Sequence, residues 1–450
     1  MSSIKNHRSP KDDAAATATA YKRRFLTRLT AVLVGGMFLD GYILGIIGTV
    51  IGTISTELSF TPLWEGLIVA SSLLGILVGS PVGGWLGDKF GRKPLFMIDM
   101  GIFLVGSALQ FFVHEPWQLF LVRLLMGIAV GVEYSVGWPL MSEFAPARMR
   151  GRLMGLTLVA FYVGFMVAFI VGYALTTTTS VDWRIILGSS TLPAVILFFA
   201  RFGLPESPRW LWSKGRHDEA RAVAYKYMEN AGDMNDVEHE HDRPEGRVKM
   251  LFSRRYWRAT LFCSMFWLCA VTPYFAIATF AESVLKGYGL SQGLAGGVGL
   301  SAVATAGVIL TVILIDRAGR RFLTVPPQWL CFVLLLIIGL WAGAPAWVVL
   351  VCFLAFSFFN AGYNTLTGIY PGEVFPTEIR GIGTGFATAV SRLGAGAGTF
   401  LLPWSMVTYG PQVTMLMAAG LTLVGAILSQ WLAPETKGKS LTETAAGFSH

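Results

Sequence analysis

The hexapeptide DKFGRK at residues 88–93 returns as DRAGRR at residues 316–321, 228 positions further along the chain. Two other motifs repeat at almost the same offset. They are Glu143, Pro146, Arg150 and Gly151, which recur as Glu373, Pro376, Arg380 and Gly381, and Pro205-Glu206-Ser207, which recurs as Pro434-Glu435-Thr436. Chance does not readily give three motifs one offset, so the sequence indicates a duplication that produced two related halves.

The composition indicates a membrane protein. Hydrophobic residues make up 54% of the 450 positions and charged residues 14%, and the mean hydropathy is +0.58. Soluble domains carry about 25% charged residues, so the deficit is explained by a surface that faces lipid. The four cysteines lie in apolar runs without the paired spacing of a zinc site, and we expect neither a disulfide nor a metal.

Twelve apolar runs are long enough to cross about 30 Å of hydrocarbon as helices. These predicted spans 1 to 12 fall near 28–51, 64–87, 94–113, 116–141, 152–176, 184–203, 258–282, 293–315, 322–342, 346–370, 382–407 and 411–433. The predicted fold class is therefore all-α: a polytopic membrane protein with twelve transmembrane helices in two pseudo-symmetric six-helix bundles.

The runs divide the chain into five predicted parts. They are an N-terminal tail (1–27), an N-terminal bundle (28–203), a polar linker (204–257), a C-terminal bundle (258–433) and a C-terminal tail (434–450). The motifs that repeat follow even-numbered spans, so all of them fall on one side of the membrane.

The distribution of basic residues predicts the orientation. With the N-terminus in the cytoplasm, 31 of the 35 Lys and Arg residues lie on cytoplasmic segments, two on outer segments (Arg184, Lys286) and two inside spans (Arg123, Arg392). Basic residues concentrate on the cytoplasmic side, so both termini are predicted to be cytoplasmic, in a cell membrane and plausibly a bacterial inner membrane. The net charge of +8 is then a topology signal that contacts anionic lipid, and nucleic-acid binding is not expected.

Several motifs resemble those of the major facilitator superfamily. Gly84 with Asp88, Lys89, Gly91, Arg92 and Lys93 resembles its signature between spans 2 and 3. The stretches 205–211 and 434–438 resemble the motifs that end each half in its sugar porter and organic-ion branches. The resemblance implies secondary transport by alternating access, in which two bundles rock around a central substrate site. The protein is expected to be a monomer.

The same resemblance implies a cytoplasmic gate of charged residues that closes when the transporter faces outward. Its predicted members are Asp88, Arg92, Glu143, Arg150, Asp316, Arg320, Glu373 and Arg380. Carboxylates at helix ends can bond guanidinium groups and helix N-termini reversibly. The alternative is plain topology charge, although topology alone requires no acidic residues.

Ionisable residues inside a bilayer are candidates for function. Asp40 lies roughly 18 Å and Arg123 roughly 20 Å from the cytoplasmic boundary, at 1.5 Å per residue. They resemble the acid of span 1 and the arginine of span 4 that couple protons in sugar porters and related symporters, and a static buried ion pair is the alternative. Glu133 is either a second proton site or the partner of a basic residue, and Asp99 is interpreted as an ordinary interface charge.

Arg392, near the middle of span 11, resembles the arginine of organic anion transporters that attracts the substrate's carboxylate. The alternative is a structural partner such as Glu133. Polar residues that recur at helical spacing on span 10 are predicted to line the cavity: Asn360, Tyr363, Asn364 and Thr367. Aromatic residues that could stack on a substrate ring, or simply pack, are Trp267, Tyr274, Tyr162 and Phe165.

Sugar porters bind polyols through glutamines of spans 5 and 7, and no glutamine occurs in 152–176 or 258–282. We therefore expect proton-driven import of a small organic anion, plausibly an aromatic or heterocyclic carboxylate. The alternatives are a sugar or polyol symporter, and a nutrient-sensing receptor whose partner docks on 204–257. No enzymatic constellation or phosphate loop stands out, so the chain is predicted not to be an enzyme and to use a proton gradient without a cofactor.

Overall fold

The structure is a computed structural model. It describes residues 10–178, 181–228, 248–290, 293–375 and 379–437. Within these ranges every long element is an α-helix. The all-α prediction is confirmed.

The N-terminal bundle consists of six helical spans, the last of which is divided into two helices. Their bounds are Pro10–Glu57, Pro62–Phe90, Arg92–Leu109, Pro116–Phe144, Ala147–Thr178, and Trp183–Gly188 with Thr191–Ala200. Proline stands at the start of the second and fourth helices, where its missing N–H group would in any case lack a helical acceptor. Thr61 accepts a hydrogen bond from the backbone N–H of Trp64 and so caps the second helix.

The C-terminal bundle repeats this plan. Its helices are Trp257–Thr279, Ala281–Gly287, Gly293–Ala318, Arg320–Leu340, Ala346–Asn364, Ile369–Val374 and Arg380–Leu432. The last one is 53 residues long and contains Gly410 at φ 80°, a left-handed conformation that interrupts the helix before Pro411. Spans 11 and 12 therefore meet at Gly410. Within the described residues, 11 helices are long and apolar enough to cross a membrane, and they hold the twelve predicted spans.

The first helix begins earlier than predicted, because it starts at Pro10 and not near residue 28. Its extension is held by aromatic contacts: the ring of Phe25 lies 5.2 Å from that of Phe144 and 4.4 Å from that of Tyr227. Tyr227 ends a linker helix, His217–Tyr227. The predicted N-terminal tail is thus helical from residue 10 onward and rests on the linker.

The duplicated motifs form the same structure twice. Gly91 and Gly319 have φ values of 104° and 88° and turn the chain sharply between two helices. Glu206 accepts hydrogen bonds from the backbone N–H groups of Arg92 and Lys93 (3.0 and 3.2 Å), and Glu435 accepts them from Arg320 and Arg321 (3.0 and 3.1 Å). Each carboxylate therefore caps the N-terminus of the helix that follows the glycine. We call the end of the molecule that carries these motifs the loop end.

Loss of the Glu435 cap gives a prediction for stability. Burial raises the pKa of Glu435, but backbone N–H groups of Lys437, Arg320 and Arg321 outweigh burial and place the pKa below its ordinary value. The cap thus stabilises the fold above the unfolded pKa of about 4.3 and is lost as the pH falls through the folded value. We expect Glu435→Gln to lower the free energy of unfolding by about 1 kcal/mol at pH 7.

Thermal unfolding in detergent measures this difference between wild type and variant at pH 7 and again below pH 4. The difference should shrink at the lower pH because the wild-type carboxyl is then neutral as well. Glu219→Gln is the control, since Glu219 lies on the exposed surface of a linker helix, where it pairs with Arg216. A variant as stable as wild type at pH 7 would contradict the cap.

Glycines bring the two bundles together at the end opposite the loop end. A Cβ on Gly48 would overlap the carbonyl oxygen of Thr279, and one on Gly66 would overlap that of Phe400. The backbones of spans 1 and 7, and of spans 2 and 11, are therefore in direct contact across the bundle interface. The described conformation is closed at this end.

We expect Gly66→Leu to prevent this closure and to reduce uptake at least tenfold while the protein still folds. A leucine side chain cannot occupy the space that the Phe400 carbonyl fills, so the bundles must stay apart there. Gly52→Leu is the matched control, since nothing lies within 4 Å of a Cβ at this position of span 1. Uptake of a labelled substrate into cells checks both variants, and normal uptake by Gly66→Leu would contradict the assigned contact.

Candidate functional site

Asp40 lies in the middle of the first helix and is completely buried inside the protein. Neither of its carboxylate oxygens has a hydrogen-bond partner among the described residues. The charged groups that act on it electrostatically are Glu133, Asp99, Arg201 and Arg392. Asp40 therefore lies inside the protein near other charged side chains and does not face lipid.

Arg123 is 1% exposed and reaches the same helix, but it does not contact Asp40. Its Nη2 donates to the carbonyl oxygen of Ile43 at 3.3 Å, and its Nε and Nη1 have no partner in the described ranges. In this conformation the structure therefore does not bring the Asp40 carboxylate and the Arg123 guanidinium into contact. The guanidinium meets span 1 three residues from Asp40, on nearly the same face but about 4.5 Å further along the helix axis, away from the loop end.

A second group of charges lies on the loop-end side of Asp40. Arg201 donates from Nη1 to Asp99 Oδ1 at 2.6 Å and from Nη2 to Glu133 Oε1 at 2.8 Å, and the side chains are 0 to 2% exposed. The Arg201 guanidinium also lies 3.6 Å from the centroid of the Phe96 ring and donates to the Phe96 carbonyl oxygen at 2.6 Å. We call Asp99, Glu133 and Arg201 the acid–arginine cluster.

The cluster corrects the interpretation of Asp99 and identifies a basic partner for Glu133, which was one of the two alternatives for that residue. Asp99 is a fully buried member of an ion pair and not an interface charge, because the adjoining helices bring Arg201 to it. Glu133 pairs with a basic residue, and that residue is Arg201, which sequence reasoning had assigned to the cytoplasmic boundary. The structural alternative for Arg392, a pair with Glu133, is not formed in this conformation.

Arg392 lies between two aromatic rings contributed by opposite bundles. Its guanidinium carbon is 5.7 Å from the centroid of Tyr134 and 6.0 Å from that of Phe275. The residue is 7% exposed, and its Nε has no hydrogen-bond partner in the part of the chain that the structure describes. Asp40 and Tyr162 also act on it electrostatically. A buried arginine that lacks an ion-pair partner and is flanked by ring faces suits a planar anion.

The predicted polar residues of span 10 divide into two groups. Asn360 donates to the Tyr363 hydroxyl at 2.6 Å and to the Ala270 carbonyl oxygen at 3.3 Å, so both side chains are engaged in packing span 10 against span 7. Asn364 is half-buried and donates to the Tyr162 hydroxyl at 3.0 Å, which joins the two bundles near Arg392. Thr367 donates to the Asn364 carbonyl oxygen and supports that residue.

The predicted aromatic residues are brought together in part. The rings of Tyr162 and Tyr274 are 5.6 Å apart, and Phe165 lies 6.4 Å from Tyr274. Trp267 is buried at 4% exposure without a ring contact to these residues. Tyr162 and Tyr274 therefore belong to the surroundings of Arg392, whereas nothing in the structure places Trp267 with them.

The charged residues of the predicted gate pair within each half. Glu143 accepts hydrogen bonds from Arg92 and the Ser207 hydroxyl, and Glu373 accepts them from Arg320 (3.0 Å) and the Thr436 hydroxyl (2.5 Å). The other residues of the predicted gate have the following positions and contacts. Asp316 pairs with Arg320 at 3.3 Å, Asp88 accepts a bond from Trp210 Nε1 on its backbone oxygen, and the side chains of Arg150 and Arg380 lie outside the described residues.

Sequence reasoning missed Arg201, Tyr134 and Phe275. The signal for Tyr134 was present, since eleven residues make close to three helical turns and place it on the face of Arg123. Arg201 stands at the end of the predicted span 6, at a depth comparable with Asp99 on span 3. No pattern in the sequence singles out Phe275 among the many aromatic residues of span 7.

Comparison with known proteins agrees with this architecture. Residues 29–448 match the family described as Sugar (and other) transporter. The chain is 39% identical to the inner membrane metabolite transport protein YgcS of Escherichia coli, over 94% of each chain. It is 36% identical to the putative metabolite transport protein YaaU of that organism, over 91% of this chain and 92% of YaaU.

Among solved structures, the fold resembles that of the proton:xylose symporter XylE bound to 6-bromo-6-deoxy-D-glucose. The TM-score is 0.79 at 22% sequence identity, and the match covers 95% of this chain and 100% of XylE. The resemblance to the major facilitator superfamily is thereby confirmed. The chain belongs to the Sugar (and other) transporter family, and it is a multi-pass membrane transporter of this fold and not an enzyme.

Proposed function

We propose that the protein is a proton-coupled symporter of the bacterial inner membrane that imports a small organic anion, an aromatic or heterocyclic carboxylate, by alternating access. Arg392 is the observation that carries the substrate class. It is a buried guanidinium without an ion-pair partner in the described chain, set between the rings of Tyr134 and Phe275. A carboxylate attached to a ring would satisfy the guanidinium and lie against those faces.

Proton coupling is proposed for Asp40. The carboxyl is fully buried and has no hydrogen-bond partner in the described ranges, while Arg392 acts on it electrostatically. Loss of a proton at Asp40 adds a negative charge near Arg392 and so competes with the anionic substrate for the same guanidinium. A proton and an anion are then favoured together, which is the requirement for symport.

The two halves are in contact at one end through Gly48 and Gly66. At the other end lie the ion pairs within each half, Arg92 with Glu143 and Arg320 with Glu373. We assign the loop end to the cytoplasm on the basis of its basic residues. The described conformation is then closed to the outside. Opening there would require the two glycine contacts to separate.

Uptake by proteoliposomes tests this function. The purified chain is reconstituted, a pH gradient acid outside is imposed, and uptake of aromatic carboxylates, their neutral amides, and hexoses is compared. We expect accumulation of at least one carboxylate, with collapse on addition of a protonophore. Carboxylate uptake that ignores the gradient would reject the coupling.

A sugar or polyol symporter is the second candidate, and the description of the matched family favours it. Competition distinguishes the two, because hexoses should compete for uptake in this case and leave carboxylate transport unaffected in the first. The hydroxyl groups of a sugar need many neutral donors and acceptors. Around Arg392, Asn364 is the one amide side chain that the described residues place at the contact between the bundles.

A further inference from the structure

We propose that the acid–arginine cluster is a proton relay that receives the proton of Asp40 and passes it toward the loop end, with Glu133 as the acceptor and Arg201 as the residue that positions it. The inference rests on the proposed proton coupling through Asp40 and extends it to three residues on spans 3, 4 and 6.

The cluster lies on the loop-end side of Asp40. Glu133 packs against span 1 at Gly36, where a Cβ would overlap its Oε1, and Gly36 is one helical turn from Asp40 on the loop-end side. Glu133 is one of the charged groups that act on Asp40 electrostatically. Asp99 lies seven residues from the start of its helix at Arg92, roughly 10 Å from the loop end. The cluster therefore lies between Asp40 and the side to which protons are delivered.

The acid–arginine cluster is also unbalanced in charge when both of its carboxylates are ionised. Two carboxylates share one guanidinium at 0 to 2% exposure, so the cluster has one negative charge in excess if both are ionised. An unbalanced charge away from water is costly, and one proton on the pair of carboxyls removes it. The cluster can therefore exist in two states that differ by one charge: neutral with that proton and negative without it.

Each of the two carboxylates in the cluster also has one oxygen without a hydrogen-bond partner in the described chain. Glu133 Oε2 and Asp99 Oδ2 are buried and have no partner in the described chain, whereas Glu133 Oε1 and Asp99 Oδ1 are held by Arg201. In the transfer, the bond from hydrogen to an Asp40 oxygen breaks and a bond to Glu133 Oε2 forms. Asp40 becomes a carboxylate, Glu133 becomes neutral, and the proton then leaves Glu133 for water when the loop end opens.

The charged and titratable groups around Glu133 come from five spans, and each has an assigned part. Asp40 on span 1 donates, Asp99 on span 3 supplies the countercharge, and Arg201 on span 6 holds both acids. Arg392 on span 11 and Tyr134 on span 4 act on Asp40 or lie beside it. Arg28 on span 1 donates to the Ala200 and Phe202 carbonyl oxygens that flank Arg201.

The test compares net uptake driven by a pH gradient with exchange of labelled for unlabelled substrate in the same proteoliposomes. We expect Glu133→Gln to reduce net uptake at least tenfold more than it reduces exchange, since exchange needs no release of a proton. The variant keeps Asp99 opposite Arg201 as a neutral pair, so the fold is expected to persist. Glu65→Gln, which changes a half-buried acid of span 2 outside the cluster, should leave both activities at the wild-type level.

The dependence of net uptake on pH separates a relay from a structural role. Asp99→Asn leaves Glu133 alone with Arg201, which favours the charged carboxylate, so the profile should move to lower pH. Arg201→Gln removes the positive charge, so the profile should move to higher pH. Shifts in opposite directions support the relay. Equal losses of exchange and net uptake, or profiles that do not move, overturn it.

The experiments distinguish failure of the relay from failure of the proposed function. If wild type itself accumulates nothing under a pH gradient, or if Asp40→Asn still accumulates substrate, the coupling through Asp40 fails and the relay fails with it. If wild type is coupled, Asp40→Asn is uncoupled and Glu133→Gln keeps the wild-type ratio of net uptake to exchange, the relay alone is rejected.

Discussion

Replacement of Asp40 by Asn is expected to abolish uphill uptake while substrate exchange continues. Asn has the shape of a protonated aspartate and no charge, so the carrier behaves as if it were always loaded with its proton. Asp40 is buried and has no ion-pair partner among the described residues, so the change breaks no ion pair that the structure shows. The substitution should therefore remove the coupling and leave the fold intact.

The expected size follows from the gradient. A difference of one pH unit stores about 1.4 kcal/mol per proton and drives about tenfold accumulation at a ratio of one proton to one substrate. Wild-type proteoliposomes should approach that ratio, and the variant should stop at equal concentrations inside and outside. Radiolabelled substrate measured at the plateau, with exchange measured separately, gives both quantities.

Asp218→Asn is the matched control, because Asp218 is exposed on the linker helix His217–Tyr227 and should not affect accumulation. Accumulation by Asp40→Asn equal to that of wild type would remove Asp40 from the coupling mechanism. Loss of exchange together with accumulation would show that the carboxyl is needed for the movement of the bundles themselves.

The twelve spans could be predicted because apolar length is a property of local sequence. A helix that crosses lipid must satisfy its own backbone hydrogen bonds, and no distant contact is needed to recognise it. The loop motifs were equally informative, since the residues that Glu206 and Glu435 cap are those that the repeat had marked. The junction of spans 11 and 12 at Gly410 was also placed correctly, between the predicted runs.

From the sequence, only the approximate depth of the charged residues in the membrane could be predicted. Residue counts put Asp40 and Arg123 at similar levels of the membrane, and Arg123 does reach span 1 near Asp40, at the carbonyl oxygen of Ile43. A residue count does not resolve a displacement of about 4.5 Å along a helix, and that displacement places the guanidinium at the carbonyl oxygen of Ile43. The sequence also does not show in which direction a side chain at the end of a span points. For this reason Arg201 was counted with the cytoplasmic residues, although it points inward to Asp99 and Glu133.

Replacement of Arg392 by Gln is expected to change which substrates are bound. The guanidinium offers a charged, planar set of donors, and each hydrogen bond to a charged group is worth about 1.5–3 kcal/mol. Loss of that interaction should raise the KM for an aromatic carboxylate roughly 10- to 150-fold. Uptake of the corresponding neutral amide should change much less, since it gains little from the positive charge.

Arg392→Lys separates charge from shape. A lysine keeps the positive charge but not the fork of donors or the broad face that lies between Tyr134 and Phe275, so carboxylate affinity should be intermediate. Initial uptake rates measured over a range of carboxylate and amide concentrations give KM for wild type and both variants. An equal rise in KM for carboxylate and amide would mean that Arg392 supports the structure of the site and does not recognise the anion. Hexose uptake that depends on Arg392 as strongly as carboxylate uptake would instead favour the sugar symporter, because the guanidinium would then serve as a set of donors to hydroxyl groups.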